Sequence, residues 1–345
     1  MNYKTNKLIK PTHSWKNLQT HHMSAIDDPW YKILLNLQNN ISIFTMQFYE
    51  LENMRTMYLP ITTGSISSPM GLGSDSSPID VTISGKKTFL ADSMQFMLEY
   101  GCRLYDKGCY YIMPSFRGEN ADARHLCQFY HSEAEIPGTL EDVINLVERY
   151  IKYLCVNLKQ ASGNDILSSV GNLTHIDDMI CRCGNIERIK FKDAFELLKK
   201  ESSDFVSENN LGIRTITSFG EKRLMEMFDG IVWLTHFDRS AVPFYQAYDL
   251  SDERASLSAD LLFGVGETVG SGERHANASE VLLSLKDHCV DVNSYKWYYD
   301  MKKQYPMKTS GFGMGIERFL MWLLDGDDIR DFQILPRFNG VDIIA

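Results

Sequence analysis

The sequence has no run of about 18 apolar residues, so no membrane-spanning helix is expected. Its start, MNYKTNKLIKPTHSW, carries early lysines with no apolar stretch behind them, so no signal peptide is expected and the cytoplasm is the default compartment. No Cys-x-x-Cys pair occurs among the seven cysteines. The one close pair, Cys181 and Cys183, has no second pair at metal-finger spacing, which favours buried reduced thiols over a zinc site. Positive charge is also short. The 35 Lys and Arg against 45 Asp and Glu leave a net charge of −10. That argues against a broad nucleic-acid face and gives no reason to expect DNA, while leaving room for a local basic patch. Internal repeats and low-complexity tracts are missing as well. What remains is ordinary globular composition, 44% hydrophobic and 23% charged, enough for one large domain or two medium ones.

Apolar positions Trp30, Ile33, Leu34, Leu37, Ile41, Phe44 and Phe48 recur at helical spacing, which predicts a long amphipathic helix over 28–54. Residues 1–26 read as irregular. Strands are expected at Tyr58–Ile61, in a hairpin over Thr82–Leu90, at Tyr110–Glu119 and at Leu126–Ile136. Further strands are expected at Ile231–Thr235, Ala247–Leu250, Asp260–Val265 and Glu267–Val269. Helices are expected over 93–105, 140–158, 192–200, 221–228, 278–289 and 293–304, while 159–190 is too polar to place. Strands separated by polar hairpins with helices outside them indicate an α+β domain around an antiparallel sheet.

Three segments carry candidate chemistry. Gly311-Phe-Gly-Met-Gly-Ile-Glu-Arg318 is a glycine-alternating strand that turns into a helix. Such a strand presents a flat side to a planar ligand, or else the run is a tight strand-to-helix turn chosen for packing. Arg117 and Glu119 are spaced to share one face of a strand, with Phe129 returning on the next. An arginine for phosphate and an aromatic for a base suit a nucleotide site, and a charge-paired hairpin face accounts for them equally. Asp260 and Glu267, followed by Arg274, suit a divalent cation with a polyphosphate, or are solvated strand ends.

Together, in this order, the segments resemble motifs two and three of the class II aminoacyl-tRNA synthetases, and most of all the asparaginyl branch of the aspartyl/asparaginyl group. Leu59-Pro60-Ile61-Thr62 is similar to the end of motif one, Ser93-Met-Gln95-Phe-Met-Leu98-Glu99 to the amino-acid-binding segment, and Tyr295-Lys-Trp-Tyr-Tyr-Asp300 to the stretch before motif three. The resemblance runs from about Asp28 to the end, so 28–345 reads as a catalytic domain and 1–27 as an N-terminal extension.

The resemblance implies an ATP-using ligase with ATP and Mg²⁺ as cofactors. Arg117 would bind the α-phosphate and the substrate carboxylate. Glu119 would meet the adenine amino group, Phe129 would stack under the ring, and His125 would lie near the outer phosphates. Arg318 would cover the other adenine face and hold the γ-phosphate, and Asp260 with Glu267 would hold magnesium. Gln95 would face the amino acid, with Glu133 and Arg274 forming its side-chain pocket. Aspartyl members usually carry lysine where Leu98 stands and aspartate where Glu133 stands. The pocket therefore favours asparagine, with aspartate turned round as the alternative. A homodimer through the motif-one helix is implied.

Two departures shape the functional expectation. Members that charge tRNA carry an anticodon-binding barrel of about a hundred residues, and 27 residues before the first helix are too few for it. The acidic loop that closes on the amino acid reads Ser67-Ser-Pro-Met-Gly-Leu-Gly-Ser-Asp75-Ser here, with Asp75 the candidate replacement acid. The leading expectation is an asparagine-synthetase-like, AMP-forming ligase that passes its acyl group to ammonia or another non-tRNA acceptor. A minimal asparaginyl-tRNA synthetase and a non-catalytic regulatory paralogue are the alternatives.

Overall fold

The computed structural model describes residues 8–68 and 77–342. Its helices and strands, in chain order, are α1 (Leu18–Asp27), α2 (Pro29–Leu51), β1 (Arg55–Thr56), β2 (Thr62–Thr63), β3 (Ile79–Ile83), β4 (Lys86–Leu90), α3 (Gln95–Leu104), β5 (Cys109–Phe116), β6 (Gln128–Pro137), α4 (Leu140–Val170) and α5 (Thr174–Arg182). Then come β7 (Arg188–Lys190), α6 (Phe191–Glu201), β8 (Val206–Glu208), β9 (Arg214–Ile216), α7 (Ser218–Met227), β10 (Ile231–Thr235), β11 (Ser258–Phe263), β12 (Gly266–Glu273), α8 (Ala278–Asp287), α9 (Lys296–Gln304), β13 (Thr309–Gly315) and α10 (Ile316–Leu323).

An eight-stranded sheet in the order β1-β5-β6-β13-β12-β11-β10-β7 organises the chain. The six central strands are antiparallel, as expected, but β1 and β7 join the two edges in parallel, so the sheet is mixed. Alternation along each strand decides what each face does. Tyr110, Ala134, Phe312, Met314, Val269, Leu261 and Trp233 point to one side and join the main core. The long helices α2 and α4, together with α5 and α10, supply most of the rest of that core. The opposite face carries Glu133 and Glu135 of β6 and the glycines of β13, and it holds the site.

Local signals set the helix boundaries. The Asp28 carboxylate accepts from the Trp30 N–H at 2.9 Å, and Pro29 opens α2. Thr139 and Asp142 form a reciprocal capping box at the start of α4, and Gly171 ends that helix at φ 87°. At 31 residues α4 is about 46 Å long. The polar stretch that resisted placement is its second half followed by α5. Its inner stripe, through Leu158, Ser162, Ile166 and Ser169, stays buried, while a polar outer face obscures the period.

Three other expectations give way to the structure. Tyr58–Ile61 forms no strand, and Tyr58 is 98% exposed. Ala247–Leu250 makes only an isolated bridge, Tyr248 with Ser256. Part of 1–26 is helical: α1 follows a short 3₁₀ turn whose Trp15 Nε1 donates to Asp331 at 2.8 Å and whose ring meets Phe338 edge-on at 5.9 Å. His21 reaches the Ile334 carbonyl at 2.8 Å. The Ser84-Gly85 hairpin turn stands as expected, with both residues at positive φ. Of the cysteines, 181 and 289 are exposed rather than buried.

A smaller cluster lies at the β10 end of the sheet. Phe191, Phe195 and Leu198 of α6 and Leu224 and Met225 of α7 close over Val232, Leu234 and Leu262. This packing brings the first turn of α7 up to the β11–β12 turn.

Candidate active site

Two adjoining cavities open on the glycine-bearing face. The first, ≈ 290 Å³, is lined by Arg117, Glu119, Arg124, His125, Phe129, Glu267 and Arg318 among others. The second, ≈ 320 Å³, is lined by Ser67, Gln95, Glu133, Tyr245, Asp260 and Arg274 among others. Arg117, His131, Glu267 and Gly313 line both. All ten sequence-predicted site residues therefore fall on one connected hollow. Asp75 lies outside the described residues.

Arg117 and Glu119 do not alternate along a strand. β5 stops at Phe116, and the two residues lie in the loop beyond it. What holds them is backbone pairing: the Arg117 N–H donates to the Cys127 carbonyl at 2.9 Å and the Gly118 N–H to Ser77 at 2.7 Å. The Arg117 guanidinium sits 5.6 Å from the Phe129 ring centre. Glu119 Oε1 accepts from the Ser77 N–H at 2.8 Å. Arg117 Nε, Glu119 Oε2 and Gln95 Nε2 are buried with no hydrogen-bond partner within the protein. Orphaned buried polar atoms are costly, and three of them aimed into one hollow are what a polar ligand would satisfy.

The loop between β5 and β6 is stiffened by Asp122, which accepts from the Arg124 and His125 backbone N–H groups at 2.7 and 2.8 Å. Burial works to raise the Asp122 carboxyl, but these bonds and His125 outweigh it and hold it below the usual range. His125 stands exposed at the cavity lip.

Asp260 and Glu267 converge across β11 and β12. Asp260 is in register with Gly270, and a Cβ on that glycine would lie 2.9 Å from Glu267 Oε1 and 3.6 Å from Asp260 Oδ1. Burial, then repulsion from Glu267 and Glu221, pushes the Asp260 carboxyl well up. Arg318 reaches over from α10, donating to the Glu267 carbonyl. Two hard carboxylates facing a bare glycine suit magnesium, which typically takes one or two carboxylates and completes its shell with water and substrate phosphate.

In the second cavity Glu133 accepts from Ser93 Oγ at 2.6 Å and from the Tyr111 hydroxyl, and lies 3.0 Å from His131 Nδ1. Burial raises its carboxyl, yet these partners prevail and hold it below the ordinary value, so Glu133 is an anion that only accepts. Arg274, 3% exposed, pairs with Glu135 through Nε and Nη2 at 3.1–3.3 Å and donates from Nη1 to Gln246 at 3.1 Å. Beneath it, Lys302 lies 2.5 Å from Glu99, which also accepts from Tyr298 at 2.7 Å. Leu98 packs among Met94, Cys109 and Tyr111 and places no cation in the hollow.

The glycines have a second use that the sequence left open. Gly311 stands opposite Glu135 and Gly313 opposite Glu133. A Cβ at 311 would fall 1.8 Å from Glu135 Oε2 and 2.6 Å from the Ala134 carbonyl. The bare strand is what lets the two acids lie flat against the sheet. Glu135 was not among the predicted site residues; two glycines and two acids, each spaced by two, were the available signal. Arg124 and Glu221 were missed too, because their pairing joins segments 97 positions apart.

A mixed sheet with one face packed by helices and the other opening into two adjoining polar hollows is the catalytic fold of class II synthetases. The chain superposes with a TM-score of 0.84 on an asparaginyl-tRNA synthetase from Pyrococcus horikoshii solved with asparaginyl-adenylate, at 23% identity, covering 94% of this chain and 72% of that one. The family model described as tRNA synthetases class II (D, K and N) matches residues 16–339, and the chain belongs to that family. It is 32% identical over 261 residues to a probable cytoplasmic asparagine–tRNA ligase of Encephalitozoon cuniculi, and 28% identical over 256 residues to an asparagine–tRNA ligase of Pyrococcus abyssi. Each match takes in 73% of this chain, and the chain covers 56% and 57% of those relatives' lengths. Among the described residues no helix is long and apolar enough to cross a membrane.

Proposed function

We propose that this chain activates asparagine with ATP, forming asparaginyl-adenylate and pyrophosphate, and that tRNA is the acceptor of the acyl group. One observation carries the first half: Arg117 lines both cavities, and its buried Nε has no protein partner. It would then serve both the α-phosphate of one ligand and the carboxylate of the other.

In this reading a carboxylate oxygen attacks the α-phosphorus. The bond to the bridging oxygen breaks, and pyrophosphate leaves with the electron pair. No proton need move, so the protein's work is positioning and charge neutralisation. Arg117 neutralises the α-phosphate and the incoming carboxylate. Glu119 meets the adenine amino group, Phe129 and Arg318 flank the ring, and Arg124 and His125 line the outer-phosphate end. Magnesium held by Asp260 and Glu267 would supply charge neutralisation for the phosphates.

For the amino acid, Gln95 and the Glu133–Arg274 side of the second cavity form the pocket. An anionic Glu133 accepts from an amide NH₂ and repels an unpaired carboxylate, and Glu135 already offsets the Arg274 charge. Leu98 adds no cation. All of this supports asparagine over aspartate.

The expected non-tRNA acceptor gains nothing from the relatives, both of which are described as asparagine–tRNA ligases. The cytoplasm is the compartment proposed, in line with the first of them. ATP–pyrophosphate exchange with asparagine and aspartate tests the activation step, and exchange with neither sinks it. Charging of total tRNA, compared with AMP release in the presence of ammonia, tests the acceptor. AMP release that answers to ammonia and not to tRNA would restore the synthetase-without-tRNA reading.

A further inference from the structure

Three segments far apart in sequence close on the outer-phosphate end of the first cavity. Arg124 comes from the β5–β6 loop, Gly266 and Glu267 from the β11–β12 turn, and Glu221 from the first turn of α7. Glu221 Oε2 accepts from Arg124 Nη2 at 3.0 Å. The contact is built into the turn. Gly266 has φ 126°, and a Cβ there would lie 2.3 Å from Glu221 Oε2 and 2.8 Å from Arg124 Nη2. The pair thus closes over a backbone that any side chain would push away. Arg124 lines the cavity, and its Nε is buried without a partner.

The electrostatics explain why such a contact is needed. Arg117, Arg124 and Arg318 all line one small hollow. Arg124 rides on a loop, and a free arginine side chain holds about 2 kcal/mol of rotamer entropy that a phosphate contact would have to overcome. A carboxylate beside it fixes the guanidinium and tempers the cationic repulsion. Glu221 itself is held in a strained electrostatic setting: burial, then the neighbouring Glu267, pushes its carboxyl up, against the pull of Arg124.

We propose that Glu221 is a positioning residue for the nucleotide, presetting the Arg124 guanidinium at the cavity lip for the outer phosphates of ATP. It acts through Arg124. It also ties the β7–α7 unit, with its separate apolar cluster, to the nucleotide cavity. The proposal rests on the reading that the cavity takes a nucleoside triphosphate.

The test compares wild type with Glu221→Gln, Glu221→Asp, Arg124→Met and the double variant Glu221→Gln/Arg124→Met. Magnesium-ATP binding is measured by calorimetry, and KM for ATP and for asparagine by pyrophosphate exchange. Losing one charge-assisted hydrogen bond corresponds to about a tenfold weaker ATP affinity in Glu221→Gln. KM for asparagine should stay within about twofold. Glu221→Asp should recover most of the loss, and the double variant should be no worse than Arg124→Met alone. ATP affinity unchanged in Glu221→Gln overturns the proposal, as does additivity in the double variant or a parallel rise in KM for asparagine. Exchange absent from wild type that still binds ATP sinks the activation reading and leaves the calorimetric test standing. Wild type that binds no ATP overturns both.

Discussion

Gly311→Ala puts a single methyl group where the Glu135 carboxylate lies. The backbone at 311 is outside the left-handed region, so alanine meets no conformational penalty there. Alanine in place of glycine would even gain about 0.4–1 kcal/mol through the unfolded chain. The cost is steric. The new Cβ would sit 1.8 Å from Glu135 Oε2 and 2.6 Å from the Ala134 carbonyl oxygen, and the latter is backbone in the middle of the sheet. Glu135 must leave, and Arg274 then keeps a buried charge with only Gln246 and the Tyr245 face beside it. Breaking a buried ion pair from one side costs about 3–5 kcal/mol, so the net loss should be about 3 kcal/mol. Urea unfolding followed by circular dichroism measures it. Gly313→Ala is the control. Its Cβ would lie 3.2 Å from the tip of Glu133 with no backbone atom among its nearest contacts, and it should cost less than about 1 kcal/mol. Surviving Gly311→Ala protein should show a raised KM for asparagine at unchanged KM for ATP, since Arg274 borders only the second cavity. Gly311→Ala unfolding within about 0.5 kcal/mol of wild type would refute the packing of acids against glycines.

Arg117→Ala should lower pyrophosphate exchange by roughly a hundredfold or more while leaving the unfolding midpoint in place, because its charge serves the transition state rather than the core; an unchanged exchange rate would remove it from the chemistry. His275, deeply buried and further disfavoured by the Lys302 charge, has its pKa pushed down to about 3. A depressed histidine contributes stability above pH 6.5 that is lost as pH falls towards 3, so between pH 7 and 5 it should account for about 2 kcal/mol. The raised carboxyls of Asp260 and Glu317 act in the opposite sense, so the measurement is the difference in pH dependence between wild type and His275→Gln, and parallel curves would contradict it. The outer face of α2 exposes Leu35 (57%), Ile43 (41%) and Met46 (58%), an apolar stripe suited to a second copy of the chain. Wild type should sediment as a dimer and Met46→Glu as a monomer in analytical ultracentrifugation, and a monomeric wild type would end that expectation.

Much of the site was legible because its chemistry is local in sequence. Arg117 with Glu119, Asp260 with Glu267, and the run from Gly311 to Arg318 each bring their partners within a few positions. The helices α2 and α3 were legible through their apolar period, and the start expected for α2 at residue 28 is within one position of the one the structure keeps. What escaped depends on distance. Glu135 gains its meaning from Arg274, and Glu221 from Arg124, through strand order that no local pattern encodes. Arg117 and Glu119 read as strand residues because their spacing fits one, whereas loop contacts to Cys127 and Ser77 hold them. The second half of α4 was lost because the buried stripe itself carries Ser162 and Ser169 and the outer face is polar. Ala247–Leu250 has strand composition but finds only one bridging partner.

The crossing of the N-terminal segment over the C-terminal turn has a consequence for the site. With Trp15 on Phe338, and His13 and Trp15 both bonded to Asp331, two segments more than 300 positions apart meet on one patch. The turn that closes the site is therefore held by residues that precede α1. Loss of His13 and Trp15 would strip Asp331 of both its side-chain partners and loosen the 329–332 turn, whose Ile329 lines the first cavity.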